Sequence, residues 1–210
     1  MSCLIKKNNI VLFQGDSITD AGRNRENTDD LGYGYAAIAS SLFSAAKPEK
    51  NVKFYNRGIS GNRVIDLKDR WKKDCIDLKP DVLSILIGIN DCWRRYDNNE
   101  ATSIDDFESV YHDLLNEVKS KLPETKIIIC EPFVLPIPLD RIKWREDLDP
   151  KIQASRRLAV EFKTLYIPFD SIFAIAGIKA PLQFWAPDGV HPTLPGHALM
   201  AKEWLKYIKS

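Results

Sequence analysis

The sequence predicts an α/β fold in three layers, with a central parallel sheet of five strands between two layers of helix. Two observations carry this. Short β-branched runs alternate with segments whose apolar residues recur at three and four, the pattern of successive βαβ units. The runs are also apolar almost without interruption, as in Val82-Leu83-Ser84-Ile85-Leu86-Ile87, which suits strands covered on both faces.

The strands are expected at Asn9 to Gln14, Val52 to Asn56, Val82 to Ile87, Lys126 to Glu131 and Thr164 to Pro168. Between and after them, helices are expected at Tyr35 to Ala46, Val64 to Leu78, Ile104 to Lys121, Pro150 to Lys163 and Pro195 to Lys209. The third shows the signal well. Ile104, Phe107, Tyr111, Leu114, Leu115 and Val118 form one apolar stripe, with Asp105, Asp106, Glu108 and Asp113 off it. Its early acids and late Lys119 and Lys121 suit the helix dipole and form a solvated face. The segment from Pro132 to Asp149, proline-rich at its start, reads as one long loop. Without repeats, low-complexity tracts or Gly/Ser linkers, residues 1–210 read as a single domain.

Composition narrows the function. Thirty Lys and Arg against 29 Asp and Glu leave a formal charge of +1, which argues against a nucleic-acid binder driven by phosphate contacts. The chain is 44% hydrophobic, ample for a core, yet no apolar run approaches the roughly 20 residues needed to span a bilayer. Lys6 and Lys7 precede too short an apolar stretch for a secretion signal, so a cytoplasmic location is expected. Cys3, Cys75, Cys92 and Cys130 are scattered, without the spacing of a disulfide framework or a zinc site.

In open parallel sheets ligands bind at the carboxyl ends of the strands, so the residues after those ends are the informative ones. After the first strand comes Gly15-Asp16-Ser17-Ile18-Thr19-Asp20, a glycine turn delivering a serine near a helix start. Taken alone, Ser17 could as well cap that helix. After the second comes Asn56-Arg57-Gly58-Ile59-Ser60-Gly61-Asn62, where a glycine lets backbone N–H groups approach a ligand and where a plain turn would also use glycine. After the third, Gly88-Ile89-Asn90-Asp91 supplies an amide with two donor hydrogens. Before the last helix stands Asp188-Gly189-Val190-His191, in which the acid can hold imidazole Nδ1–H and leave Nε2 to take a proton from a hydroxyl.

These four segments, in this order, resemble the blocks of the SGNH, or GDSL, hydrolase family. The resemblance runs from about Ile10 to the last helix. Within the family, Arg70-Trp71, Lys79-Pro80-Asp81, Trp93-Arg94 and Tyr96-Asp97 look most like intracellular acetylxylan esterases. It implies a flavodoxin-like three-layer sandwich and a serine esterase working through an acyl-serine, with no cofactor and no metal. Ser17 would be the nucleophile, His191 the base and then acid, and Asp188 its orienting partner. The oxyanion hole would be the backbone N–H of Ser17, that of Gly58 and the side-chain amide of Asn90. Asp16 is left outside the catalytic set as a residue that fixes the helix start, and His112 and His197 are read as structural.

Trp93, Tyr96 and Trp185 are candidates to stack on a sugar, whereas Trp144 reads as core. Arg57, Arg63, Arg94 and Arg95 could line a polar pocket or be solvated. The resulting expectation is deacetylation of short acetylated xylo-oligosaccharides, a small-molecule ester substrate, by a protein that self-associates as relatives of this kind often do. A lysophospholipase or thioesterase shares the same blocks, and a non-catalytic carbohydrate-binding module would share the fold. One departure from the acetylxylan esterase pattern is that Ala186-Pro187 precede Asp188 where a tryptophan is expected, with Trp185 earlier.

Overall fold

Five parallel strands, β1 (Ile10–Gly15), β2 (Lys53–Asn56), β3 (Val82–Leu86), β4 (Lys126–Cys130) and β5 (Leu165–Ile167), pair in the order β2-β1-β3-β4-β5. The computed structural model describes residues 3–209. Each expected strand is present within two residues of its expected ends. In register, Val11 lies opposite Phe54 of β2 and Val82 of β3. The chain leaves β1 for β2 on one side and returns to β3 on the other, which opens a crevice between the carboxyl ends of β1 and β3.

Side chains alternate across the pleat and so divide the core in two. Val11, Phe13, Ile128 and Cys130 face helices α2 (Tyr35–Ala46) and α9 (Leu194–Tyr207), where Trp204 meets Phe13 at 5.0 Å and donates its indole N–H to Ser84 Oγ at 3.0 Å. Leu12, Leu83, Ile85, Ile127 and Ile129 face α3 (Val64–Asp74) and α5 (Ile104–Lys121), against Leu67, Trp71, Tyr111 and Leu115. Both faces of the sheet are therefore dry, which is why its strands carry so few polar residues.

The structure corrects several helix expectations. A short helix α1 (Ser17–Asp20) follows β1, and α4 (Ile89–Asp97), α7 (Phe169–Ala176) and α8 (Leu182–Trp185) occupy stretches expected to be irregular. Helix α3 stops at Asp74 and is followed by a 3-10 turn at Ile76–Leu78. The segment from Pro132 to Asp149 is not one loop. It carries a 3-10 helix at Leu139–Trp144 and then the start of α6 (Arg145–Glu161), which runs through Pro150. Burial drives this: Trp144, Leu148 and Ile152 all sit in the core, and Arg145 bonds Asp149 and Asp170 at 2.6 Å each. Those contacts offset the backbone hydrogen bond that proline cannot make.

Candidate active site

The site is built at the β1/β3 crevice. Gly15 ends β1 where a Cβ would lie 2.3 Å from Leu86 O and 2.5 Å from Thr19 Oγ1, so only glycine fits beside the end of β3. Asp16 caps α1, its Oδ1 accepting the Ile18 N–H at 3.0 Å. Ser17 is thereby the first residue of a helix turn, its hydroxyl free to point out of the sheet.

The opposite wall is the loop between α8 and α9. Gly189 takes φ +82°, and a Cβ there would lie 2.2 Å from Ile137 O, so this turn too requires glycine. Leu135 N–H bonds Gly189 O at 2.8 Å and Thr193 N–H bonds Trp185 O at 2.8 Å, which fixes the loop at both sides. Within it, Asp188 Oδ1 accepts the N–H groups of Val190 at 3.0 Å and His191 at 2.7 Å, while Oδ2 accepts His191 Nδ1–H at 2.6 Å. A carboxylate can only accept here, so the proton sits on Nδ1. His191 Nε2 is left to accept from Ser17 Oγ, 2.9 Å away.

Charge on these groups follows from their contacts. Burial pushes Asp188 up, but the hydrogen bonds from His191 and Val190 outweigh it and hold the carboxyl at about 2. The Asp188 hydrogen bond raises His191 above its ordinary 6.5 against partial burial, helped by the charges of Asp188 and Asp16. With side chains 44% and 41% exposed, His191 and Asp188 are open to solvent. Beneath them lie two fully buried carboxyls, Asp16 and Asp91, each raised by burial to about 7. Asp91 accepts the Val64 N–H, whereas Asp16 Oδ2 has no hydrogen-bond partner among the described residues.

Of the expected oxyanion donors, Gly58 is otherwise engaged. Gly58 N–H is already given to Asn56 Oδ1 at 2.8 Å, and Gly58 is buried. Its lack of a side chain serves packing instead, since a Cβ would lie 2.3 Å from Asp20 N. The N–H in this loop without a partner among the described residues is that of Gly61, at φ +84°. Asn56 was the available signal, because asparagine commonly takes the N–H two residues on. Asn90, in the first turn of α4, gives one amide hydrogen to Asn62 O at 3.1 Å and keeps the other.

The aromatic candidates separate. Trp93 is half-buried with its ring 5.8 Å from that of His191. Tyr96 stacks on Trp144 at 5.4 Å and donates its hydroxyl to Lys143 O, one layer further out. Trp185 gives its indole N–H to Ala176 O at 3.0 Å and its ring meets Phe184, so it braces α7 and α8. Trp144 is core, 2% exposed. Sequence reasoning passed over Arg141, whose guanidinium lies 3.9 Å from the Trp144 ring and 5.2 Å from Trp93, a cation–π clamp behind Trp93. His197 is buried and accepts the Tyr35 N–H, and burial plus the nearby His191 hold it down at about 4. His112 pairs with Glu161 on the surface.

Arg57, Arg63, Arg94 and Arg95 do not form one pocket. Arg63 pairs with Asp66, Arg94 with Asp97 and Arg95 with Asp147, while Arg57 bonds the carbonyls of Asn56 and Thr28. No helix among the described residues is long and apolar enough to cross a membrane.

Known proteins resemble this chain in sequence and fold. Residues 13–199 match the model of the GDSL-like lipase/acylhydrolase family. An acetylxylan esterase of Geobacillus stearothermophilus is 36% identical, the match covering 94% of this chain and 93% of that protein. A GDSL-like lipase from Parabacteroides merdae superposes with a TM-score of 0.94 at 41% identity, over 97% of each chain. A crystal structure of the Geobacillus acetylxylan esterase superposes at 0.89 with 34% identity, over 98% of this chain and 96% of that one.

Proposed function

Since the chain belongs to the GDSL-like lipase/acylhydrolase family and is a carboxylic ester hydrolase, we propose that it removes acetyl groups from short acetylated xylo-oligosaccharides through an acyl-serine. The hydrogen-bonded line Asp188–His191–Ser17 carries the reading, with contacts of 2.6 and 2.9 Å. In it, His191 Nε2 takes the Ser17 proton as Oγ attacks the ester carbonyl. The imidazolium keeps its Nδ1–H on Asp188, then gives its new proton to the departing sugar oxygen. Water activated by the same nitrogen releases acetate and restores Ser17.

The oxyanion of each tetrahedral step is held by the N–H groups of Ser17 and Gly61 and the free amide hydrogen of Asn90. Gly61 replaces Gly58 in that role. Such preorganised donors are worth about 10²- to 10³-fold each in kcat. Trp93 offers the flat face beside His191 on which a sugar ring can lie. In this reading the enzyme works in the cytoplasm on oligosaccharides taken into the cell. The name of the Geobacillus relative supports the substrate, and the open position of the triad suits a polar alcohol group.

Initial rates on p-nitrophenyl esters of two to twelve acyl carbons, on acetylated xylo-oligosaccharides and on a lysophospholipid test it. The reading expects the acetyl esters to be fastest and the lysophospholipid inert. A preference for long acyl chains would keep the mechanism and replace the substrate.

A further inference from the structure

A cavity of about 370 Å³ lies beside the loop that carries Gly61 and is lined by Arg23, Arg25, Arg57, Lys73 and Asp74 among others. Its size is that of a small-molecule site, and its charge is one-sided. Asp20 Oδ2 is occupied by Arg25 and by the N–H and hydroxyl of Ser60, its Oδ1 faces Arg23 Nε at 3.9 Å, and Asp74 is taken by Arg70 at 3.2 Å. Arg23 has only that distant carboxylate contact, and Arg57 and Lys73 have no carboxylate partner among the described residues. Arg57 spends Nη1 on the neutral carbonyls of Thr28 and Asn56, and Lys73 makes no hydrogen bond or ion pair among the described residues.

Arg23 is the more telling of them. It is 9% exposed, among the described residues gives only its Nε–H, to Gly58 O at 3.0 Å, and stands 3.9 Å from Asp20 Oδ1, beyond hydrogen-bond distance. Asp30 acts on it only through space, because the oxygens of Asp30 accept the N–H groups of Asn24 and Gly32. Burial presses against its charge, and the support it draws from Asp20 is opposed by the neighbouring charges of Arg57 and Arg25. Crowded like charges of this kind are stabilised by an anion that accepts their spare donors.

We propose that this cavity binds a phosphate monoester dianion, held by Arg57 and Lys73 and by the unused terminal nitrogens of Arg23. Two charges on the ligand match the uncompensated cations better than one, and guanidinium forks suit phosphate oxygens. The volume leaves room for a small organic body beside the phosphate. A ligand there would brace the Gly58 peptide from both sides, since Arg57 precedes it and Arg23 holds its carbonyl.

Calorimetric titration of the full chain with inorganic phosphate, glucose 6-phosphate and glucuronate tests this, with Arg57→Ala and the surface variant Lys73→Glu run beside wild type. Saturable 1:1 binding of both phosphates is expected, weakened on the order of 10- to 100-fold in each variant, the worth of one charge-assisted hydrogen bond. Far-UV circular dichroism checks that the variants fold, and Lys73→Glu, being on the surface, keeps the test intact if Arg57→Ala does not. No saturation by either phosphate, equal affinity in the variants, or tighter binding of glucuronate would overturn the proposal.

Discussion

Asp188→Asn is nearly isosteric, yet the hydrogen-bond pattern predicts that it disables the enzyme more fully than Asp188→Ala. The amide oxygen can take the place of Oδ1 and keep the N–H groups of Val190 and His191 at 3.0 and 2.7 Å. The NH₂ then faces His191 Nδ1, where the carboxylate now accepts at 2.6 Å. The opposite rotamer would lose both backbone bonds, at about 0.5–1.5 kcal/mol each. The ring must therefore move its proton to Nε2, and a protonated Nε2 cannot accept from Ser17. Loss of the correct tautomer costs on the order of 10⁴-fold in kcat, or about 5.5 kcal/mol of barrier. Alanine leaves Nδ1 to solvent and does not dictate the tautomer, so its loss is smaller. Stopped assays of a short p-nitrophenyl ester across pH, with thermal melts to show that both variants fold, measure the difference. An asparagine variant within about tenfold of wild type, or an alanine variant worse than the asparagine one, would refute the tautomer argument.

Other outcomes follow from the same geometry. Asn90→Ala removes the free amide donor and is expected to lower kcat about 10²- to 10³-fold, with KM changed far less, as read in steady-state kinetics. Asp16 and Asp91 are raised from the ordinary 3.8 to about 7, so the folded chain keeps protons that the unfolded chain has lost. Their stabilising effect is full below pH 4 and is lost as pH rises through 7. Asp16→Asn should therefore flatten the fall of Tm across that window. Because the Asp16 charge also raises His191, the variant should move the acid limb of kcat/KM to lower pH, and an unmoved limb would contradict that coupling. Trp204→Ala empties a fully buried site on Phe13 and should cost about 3–5 kcal/mol, a fall in Tm of roughly 6–20 °C.

The sheet was legible because each strand is covered on both faces and so has to be apolar along its length. Helix α4 was also legible in principle: Ile89, Cys92, Trp93 and Tyr96 stand at helical spacing, but the glycine before them and the functional reading of Asn90 drew attention to a loop. Phe169, Ile172, Phe173 and Ala176 carry the same stripe for α7. Pro150 misled for a physical reason. Proline favours a first turn, and only the tertiary burial of Trp144 and Leu148 shows that the helix begins earlier. In the site, Ser17, Asp188 and His191 are brought together by two glycine turns whose necessity appears only when the facing backbone is seen. Gly58 and Gly61 are alike in sequence. What separates them is the bond that the Gly58 N–H gives to Asn56 Oδ1, and Trp185 differs from Trp93 in giving its indole N–H to Ala176 O.

In the proposed reaction Ser17 carries an acetyl group taken from a xylo-oligosaccharide. Acetate released from acetylated xylo-oligosaccharides by wild type and by Ser17→Ala, measured side by side, tests it most directly. Rapid release by wild type, falling at least about 10³-fold in the variant, is the predicted result. Release that survives loss of the hydroxyl would contradict the mechanism, and the absence of release by wild type would contradict the substrate.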